Sequence, residues 1–231
     1  MAKKVYIAVG HGGDDPGAVA NGFKEKNLNL VTAIACKDEL LRHGVEVNID
    51  RTTDIELTMT QTVNACNTYA PDLAVDIHHN AGGGDGAEVF YSINGGVGKT
   101  LAVNILDEIK AIGQNSRGAK TRKSSDGTSD YYGFIRRTTP PAVIVECAFL
   151  DNKTDVQIVD TQAEQKAMGV AIAKGILKTL GVAYKPEKES TTDKLYKVQV
   201  GAFRVPENAN RLRDELRSKG YSDAFIVEVS K

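Results

Sequence analysis

Short apolar runs alternate along this chain with longer segments whose apolar residues recur at helical spacing. This alternation constrains the fold, because a helix between two strands returns the chain to the starting edge of the sheet. The two strands then pair in parallel. It predicts an α/β fold with a mostly parallel, twisted sheet flanked by helices. The predicted strands are Val5–Val9, Val45–Ile49, Leu73–His78, Ala87–Ser92 and Ala142–Cys147, and the predicted helices are Lys26–His43, Leu57–Tyr69, Leu101–Ile112 and Gln162–Leu180.

The composition excludes several classes of protein. Hydrophobic residues make up 41% and charged residues 26%, which is typical of a soluble globular chain. The net charge of -1 provides no basic field, so we expect no nucleic-acid partner. No apolar run approaches the roughly 20 residues of a membrane span. The three cysteines are far apart and odd in number, which argues against a disulfide framework.

A change of composition near residue 182 predicts two domains. Residues 1–182 carry the α/β pattern, and residues 183–193 form a polar segment that is typical of a linker. Residues 194–231 predict a small C-terminal βαβ unit, with strands at 195–203 and 225–229 around a helix at 206–219.

Polar side chains stand near the ends of three predicted strands. His11 follows the first strand, His78 and His79 lie at the end of the third, and Glu146 lies near the end of the most apolar one. The carboxyl ends of parallel strands meet at one edge of a sheet, so we expect these residues to lie together. Glu25 begins a helix, where the helix dipole favours an ionised carboxylate. Two histidines, one carboxylate and an open position make a catalytic zinc site, beside which another glutamate could accept a proton.

Glu146 is unusual because its carboxylate lies within the apolar sequence PAVIVECAF. An unpaired buried charge is costly, so this side chain requires a cation, a metal or a proton nearby. A role in catalysis is one interpretation, and an ion pair with an arginine such as Arg136 is the alternative.

The order of these residues resembles that of the zinc-dependent N-acetylmuramoyl-L-alanine amidases often called amidase type 3, from Val5 to about Leu180. The resemblance implies hydrolysis of the amide between N-acetylmuramic acid and L-alanine in peptidoglycan. The matching segments are VGHGGDDPGA (9–18), GFKEKNLNL (22–30), DR (50–51), DLAVDIHHNA (72–81), GAEVFY (86–91) and PPAVIVECAFLDN (140–152).

Site residues follow from the resemblance by position. It implies that Zn²⁺ is bound by His11, Glu25 and His78, and that Glu146 is catalytic. The family's I-H-x-N motif aligns with IHHN at 77–80, which makes Asn80 a candidate for binding substrate. Successive strand residues point to opposite faces, so only one of the two histidines can reach the metal. His79 then lies behind the ligands, faces the substrate or is simply packed.

A basic segment, 114–137, is predicted to line the substrate cleft. Stem peptides of peptidoglycan carry carboxylates, which arginine binds through paired N–H groups. Arg117 and Arg122 are therefore candidate substrate contacts. A solvated basic loop is the alternative interpretation.

The sequence NGGVGKT (94–100) favours a different function, because it lies between a predicted strand and a predicted helix, as a phosphate-binding loop does. The match is incomplete, since Ile93 stands where the motif requires its first glycine. A P-loop nucleotide-binding protein is the alternative function. A wall-binding module with an inactive amidase domain is a further one.

Residues 195–229 resemble one half of a sporulation-related repeat (SPOR) domain, through VQVGAF, an Asn-Ala pair and KGY. SPOR domains bind peptidoglycan, so the resemblance implies wall binding. A unit of about 38 residues buries little apolar surface, and its strand edges would be open. We therefore expect a homodimer through this unit, with docking on the catalytic domain or fraying as alternatives.

The expected function is that of a peptidoglycan hydrolase of the endolysin or autolysin type. The first apolar stretch is shorter than the roughly 7–15 residues of a signal peptide. We therefore expect the protein to be made in the cytoplasm without a signal peptide and to act on the cell wall after release by lysis.

Overall fold

A computed structural model describes residues 2–186, 198–222 and 224–229. The chain forms two compact units, Met1–Pro186 and Glu187–Lys231, and each is described by itself. Within the described ranges, no helix combines the length and the apolar character that crossing a membrane requires.

Strands and helices alternate through the first unit. The strands are β1 (Lys4–Val9), β2 (Val19–Ala20), β3 (Phe23–Lys24), β4 (Glu46–Ile49), β5 (Leu73–Asn80), β6 (Ala87–Tyr91), β7 (Ser116–Lys120) and β8 (Ala142–Phe149). The helices are α1 (Glu25–Arg42), α2 (Met59–Tyr69), α3 (Gly96–Ala111), α4 (Gly133–Arg137), α5 (Lys153–Val156) and α6 (Gln162–Leu180).

Six of these strands form one sheet in the order β4-β1-β5-β8-β6-β7. Neighbouring strands are parallel, except that β6 runs antiparallel to β8. The prediction of a mostly parallel sheet flanked by helices is confirmed. In this order, β1, β5 and β8 are adjacent, so the residues at their carboxyl ends meet at one edge.

Helices cover both faces of the sheet. Helices α1 and α3 pack on one face of the sheet and α6 packs against both of them, while α2 and α4 pack on the other face. Side chains alternate along each strand between these two cores. Ile7 and Val75 enter the larger one, whereas Tyr6 and Ile144 enter the smaller one. Burial on both faces explains why these strands are apolar almost throughout.

Several short elements differ from the sequence prediction. The hairpin β2–β3, the edge strand β7 and the helices α4 and α5 were not predicted. The sequence of β7, SRGAK, has no apolar alternation, and only its pairing with β6 makes it a strand. Helix α3 begins at Gly96 rather than at Leu101, because left-handed glycines at 95 and 96 turn the chain directly into the helix.

The end of the first unit lies beyond the residue where the linker was predicted to begin. Tyr184 stacks on His43, with ring centroids 5.0 Å apart, and the backbone N–H of Lys185 donates to His43 Nε2 at 2.9 Å. These contacts keep residues 183–186 with the first unit. Of the predicted linker, residues 187–193 lie outside the described residues.

The described part of the second unit contains one helix, α7 (Pro206–Ser218), in agreement with the predicted helix. The predicted strands are not observed, because residues 198–203 and 224–229 form no strand pair in the described part of this unit. Val198, Phe225 and Val229 are exposed there. A two-stranded pairing without further strands is marginally stable, which is consistent with this difference. Residues 195–197 of the first predicted strand lie outside the described residues.

Candidate metal centre

Three predicted metal ligands meet at the carboxyl edge of β1 and β5. His11 follows β1 in a left-handed conformation (φ 61°), His78 lies on β5, and Glu25 is the first residue of α1. The helix dipole stabilises the Glu25 carboxylate at that position. Gly10 is required beside them, because a Cβ at this position would collide with the His78 imidazole.

The ligand atoms of these three residues converge. Nε2 of His11 lies 3.1 Å from one carboxylate oxygen of Glu25, and Nδ1 of His78 lies 2.9 Å from the other. All three ligand atoms lie within 4.8 Å of one another. Two imidazole nitrogens and one carboxylate oxygen form the donor set of a catalytic zinc site with an open position, so these residues fit zinc.

The carboxylate of Glu25 is ionised. Burial alone would raise its pKa, but hydrogen bonds from His11 and His78 outweigh burial and hold the pKa of Glu25 well below its usual range. The backbone N–H groups of Ala18 and His79 also donate to it, at 2.8 and 3.1 Å. A buried, ionised carboxylate with a fixed orientation is suited to hold a cation.

Each histidine ligand has its own carboxylate on the side away from Glu25. Nδ1 of His11 lies 2.7 Å from Asp15, and Nε2 of His78 lies 3.3 Å from Asp76. A carboxylate at this position fixes the tautomer and the orientation of a metal-binding imidazole. Sequence reasoning missed both aspartates, although Asp76 lies two residues from His78 on the same strand face, a spacing that could have indicated it.

His79 is buried behind the three ligands. Its Nδ1 lies 2.7 Å from Oδ1 of Asn29 on α1. Burial lowers the pKa of His79 to about 4, so its ring is neutral at neutral pH. Of the three alternatives for His79, the structure therefore favours the position behind the ligands, because its ring contacts Asn29, which donates to Glu25.

Glu146 stands beside the proposed ligands on β8, where it is the register partner of His78 on β5. Its Oε2 is buried and has no hydrogen-bond partner among the described residues. Burial raises the pKa of Glu146 to about 7, partly offset by the nearby His78. A carboxyl that titrates near neutrality can both accept and donate a proton.

The alternative in which Arg136 neutralises Glu146 does not agree with the structure. The guanidinium of Arg136 donates to the backbone carbonyls of Asp130 and Tyr131, at 2.7 and 3.0 Å. Arg136 is therefore engaged within its own loop and the start of α4, and the Glu146 carboxyl remains available for chemistry.

The candidate substrate residues Asn80 and Arg117 both contact Glu88, a buried residue of β6. Asn80 Nδ2 donates to Glu88 at 3.1 Å and Arg117 Nε at 2.9 Å, and Lys120 also pairs with this carboxylate. Glu88 is in register with Glu146 on the neighbouring strand. Sequence reasoning missed Glu88, whose burial between apolar residues in GAEVFY was the available signal.

Arg122 lies apart from this ion-paired cluster. Its guanidinium sits 3.7 Å from the centroid of the Tyr131 ring, in a cation–π contact at the protein surface. Arg117 and Arg122 therefore lie in different surroundings, and the segment 114–137 contains strand β7 and helix α4 rather than forming one loop.

A cavity of about 190 Å³ adjoins the metal centre on the side of α2. It extends from the two histidine ligands toward Asp50 and Asp76, and Leu57 and Met59 line its outer part. Burial raises the pKa of Asp50 to about 7, with a further contribution from Asp76. The cavity gives the centre a cleft in which part of a substrate can be held.

The alternative of nucleotide binding is not supported. Residues 96–100 of the NGGVGKT sequence are the first residues of α3, which leaves only Asn94 and Gly95 as a loop. A phosphate-binding loop instead needs several residues before the helix to wrap around the phosphates.

A His–Glu–His cluster with an adjacent glutamate, at the carboxyl edge of a mostly parallel sheet, is the arrangement of side chains that metal-dependent hydrolases use. Comparison with known families is more specific. Residues 5–178 match the family described as N-acetylmuramoyl-L-alanine amidase, and the chain belongs to this family. Residues 173–231 match the SPOR domain. The resemblances predicted from the motifs are confirmed.

Individual relatives agree with this assignment. The chain is 36% identical to the N-acetylmuramoyl-L-alanine amidase CwlM of Bacillus licheniformis over 228 residues, covering 97% of this chain and 84% of that protein. It is 31% identical to the sporulation-specific N-acetylmuramoyl-L-alanine amidase of Bacillus subtilis over 229 residues, covering 97% and 85%. The catalytic domain of CwlV, an amidase from Bacillus (Paenibacillus) polymyxa var. colistinus, superposes with a TM-score of 0.70 at 29% identity, covering 78% of this chain and 99% of that one.

Proposed function

We propose that this peptidoglycan amidase is zinc-dependent and that His11, Glu25 and His78 hold the metal. The convergence of three ligand atoms within 4.8 Å carries this proposal. When bound, zinc supplies Lewis-acid activation of the substrate carbonyl and of water. The bond to be broken is the amide between N-acetylmuramic acid and L-alanine, as in the family to which the chain belongs.

Glu146 moves the protons in this proposal. Its carboxylate removes a proton from the attacking water, and the resulting carboxylic acid passes the proton to the leaving amine of L-alanine. The buried, unpartnered Oε2 and the raised pKa support both halves of this cycle. The register of Glu146 with His78 supports its position beside the reacting amide.

Substrate contacts are proposed for Asn80, Arg117 and Arg122. Asn80 and Arg117 both hydrogen-bond to the buried Glu88, as does Lys120. When a stem-peptide carboxylate binds Arg117, Lys120 would still neutralise Glu88. Arg122 would approach the same peptide from the surface. Arginine suits carboxylates because its N–H groups form paired hydrogen bonds.

For the C-terminal unit we propose wall binding and self-association. The SPOR match supports binding to peptidoglycan. The exposed side chains of Val198 and Val229 support a homodimer, because pairing with a second copy would cover them. We also propose that the enzyme meets the wall after release by lysis, as an endolysin or a mother-cell autolysin. The similarity to a sporulation-specific amidase supports the latter.

Lysis of purified cell walls tests the proposed function. We expect turbidity to fall, with new L-alanine amino termini among the products, and we expect a chelator to stop the reaction until zinc is restored. Glu146→Ala serves as the matched inactive protein. Lysis that continues at full rate in a chelator that has removed all metal would contradict zinc dependence, and products without new L-alanine termini would contradict the bond assignment.

A further inference from the structure

His79 follows a proposed metal ligand but does not face the metal position. Its side chain is 1% exposed and points to α1, where Nδ1 meets Oδ1 of Asn29 at 2.7 Å. Its Nε2 has no hydrogen-bond partner in the part of the chain that the structure describes. Burying a polar imidazole costs free energy unless it is hydrogen-bonded. The hydrogen bond between the His79 ring and Asn29 is therefore important for keeping this histidine in the core.

The hydrogen bonds of Asn29 determine which nitrogen of His79 carries the proton. Asn29 Nδ2 donates to the carbonyl of Gly10 at 2.9 Å and to Oε1 of Glu25 at 3.3 Å. Both partners are acceptors only, so the amide nitrogen must face them and Oδ1 must face His79. His79 therefore donates from Nδ1, and the unpartnered Nε2 is a bare lone pair.

This arrangement connects His79 to Glu25 by two routes. The backbone N–H of His79 donates directly to Oε1 of Glu25 at 3.1 Å, and its side chain acts through Asn29 on the same oxygen. Without the donor at His79, Oδ1 of Asn29 would lose this hydrogen bond inside the protein, and the Asn29 side chain would be held by its amide nitrogen alone. The hydrogen bond from Asn29 would then orient the Glu25 carboxylate less firmly.

We infer that His79 is a positioning residue, which orients the metal-binding carboxylate of Glu25 through Asn29. The inference rests on the proposed metal role of Glu25. Outer hydrogen bonds to metal ligands affect metal affinity by about 10- to 100-fold, because they hold the ligand in its binding orientation before the metal arrives. The same loss of affinity is expected when the hydrogen bond from His79 is removed.

The test compares zinc binding by the full chain and two variants of one residue. His79→Leu removes the donor, whereas His79→Asn keeps an N–H group near the position of Nδ1. Competition with a chromophoric zinc chelator gives the dissociation constant, and thermal unfolding of the metal-free proteins reports folding separately. We expect His79→Leu to bind zinc about 10- to 100-fold more weakly and His79→Asn to recover most of this loss.

A second comparison keeps the inference falsifiable if His79→Leu does not fold. Asn29→Ala should weaken zinc binding by a similar factor. Where the double variant Asn29→Ala/His79→Leu folds, its loss of zinc affinity should be no larger than that of a single variant, because both residues act on the same oxygen of Glu25. Affinity like that of the wild type in His79→Leu, or in Asn29→Ala, would overturn the inference. A wild-type protein that binds no zinc would instead overturn the proposed function itself, so the two failures are distinguishable.

Discussion

His78 and Glu146 are register partners on the adjacent parallel strands β5 and β8. In-register residues of neighbouring strands place their side chains on the same face of the sheet. The imidazole proposed to bind the metal and the carboxyl proposed to move protons are therefore held side by side by backbone hydrogen bonds. Metal binding and proton transfer are therefore assigned to two different residues, His78 and Glu146, and each can be tested by its own substitution.

Substitution of Glu146 should abolish catalysis without loss of the metal. We expect Glu146→Ala to lower the rate of wall hydrolysis by about 100- to 10,000-fold, since it removes the general acid and base. Metal analysis of the same sample should show zinc at the wild-type ratio, because Glu146 is not one of the three converging ligands. Near wild-type lysis by this variant would show that another group accepts the proton.

Substitution of His78 should remove the metal itself. We expect His78→Ala to lose stoichiometric zinc, because only His11 and Glu25 would remain as protein ligands. His43→Ala is a matched control, since His43 contacts Tyr184 and Lys185 instead of the metal centre. Zinc retained in His78→Ala and lost in a His79 variant would mean that the two histidines had been assigned in the wrong order.

Neutralising two arginines should weaken substrate binding. We expect the double variant Arg117→Ala/Arg122→Ala to raise KM on purified walls with little change in kcat. The fold should tolerate it, because Lys120 still pairs with Glu88 when Arg117 is removed. Lys99→Ala on α3 is the control, with an expected KM like that of the wild type. Equal KM values for all three proteins would favour a solvated basic surface.

Asp50 should make the protein less stable as pH rises. Its pKa of about 7 in the folded state lies above the value of about 3.9 in an unfolded chain, mainly because it is buried. The folded protein then binds more protons between these pH values, so the free energy of unfolding falls from about pH 4 to about pH 7. Asp50→Asn should raise this free energy by roughly 1–3 kcal/mol at pH 8, and by little at pH 4.

Thermal unfolding of the metal-free proteins at both pH values measures this difference. The amide side chain introduced by Asp50→Asn would keep an acceptor for the Val9 N–H, which donates to Asp50 at 3.1 Å, so the comparison isolates the charge. Asp107→Asn on the surface of α3 is the control. A gain in stability that is equal at pH 4 and pH 8 would show that Asp50 is not the titrating group.

The C-terminal unit should determine the oligomeric state. We expect light scattering at micromolar concentration to give a dimer for residues 1–231 and a monomer after deletion of 187–231, because the exposed Val198 and Val229 lie in the deleted unit. The catalytic unit has a core of its own and should remain folded. A monomeric full chain, or a dimer that survives the deletion, would contradict the prediction.

The local pattern of the sequence predicted the layer architecture and the residues that meet at the metal centre. Apolar periodicity reports burial, and the carboxyl ends of successive parallel strands necessarily share an edge. That is why His11, His78 and Glu146 could be placed together from residues far apart in the chain. Glu25 was a candidate from its place at the start of a helix, and the family motifs assigned it to the metal and distinguished His78 from His79.

The tertiary structure alone decided which polar groups pair with one another. Asn29 and His79 are 50 residues apart, and their hydrogen bond exists only because α1 packs against β5. Glu88 likewise binds Arg117 because β7, whose sequence has no strand pattern, pairs with β6. Periodicity indicates that a side chain is buried, but its partner depends on the register and packing of distant elements. Those are properties of the folded chain as a whole.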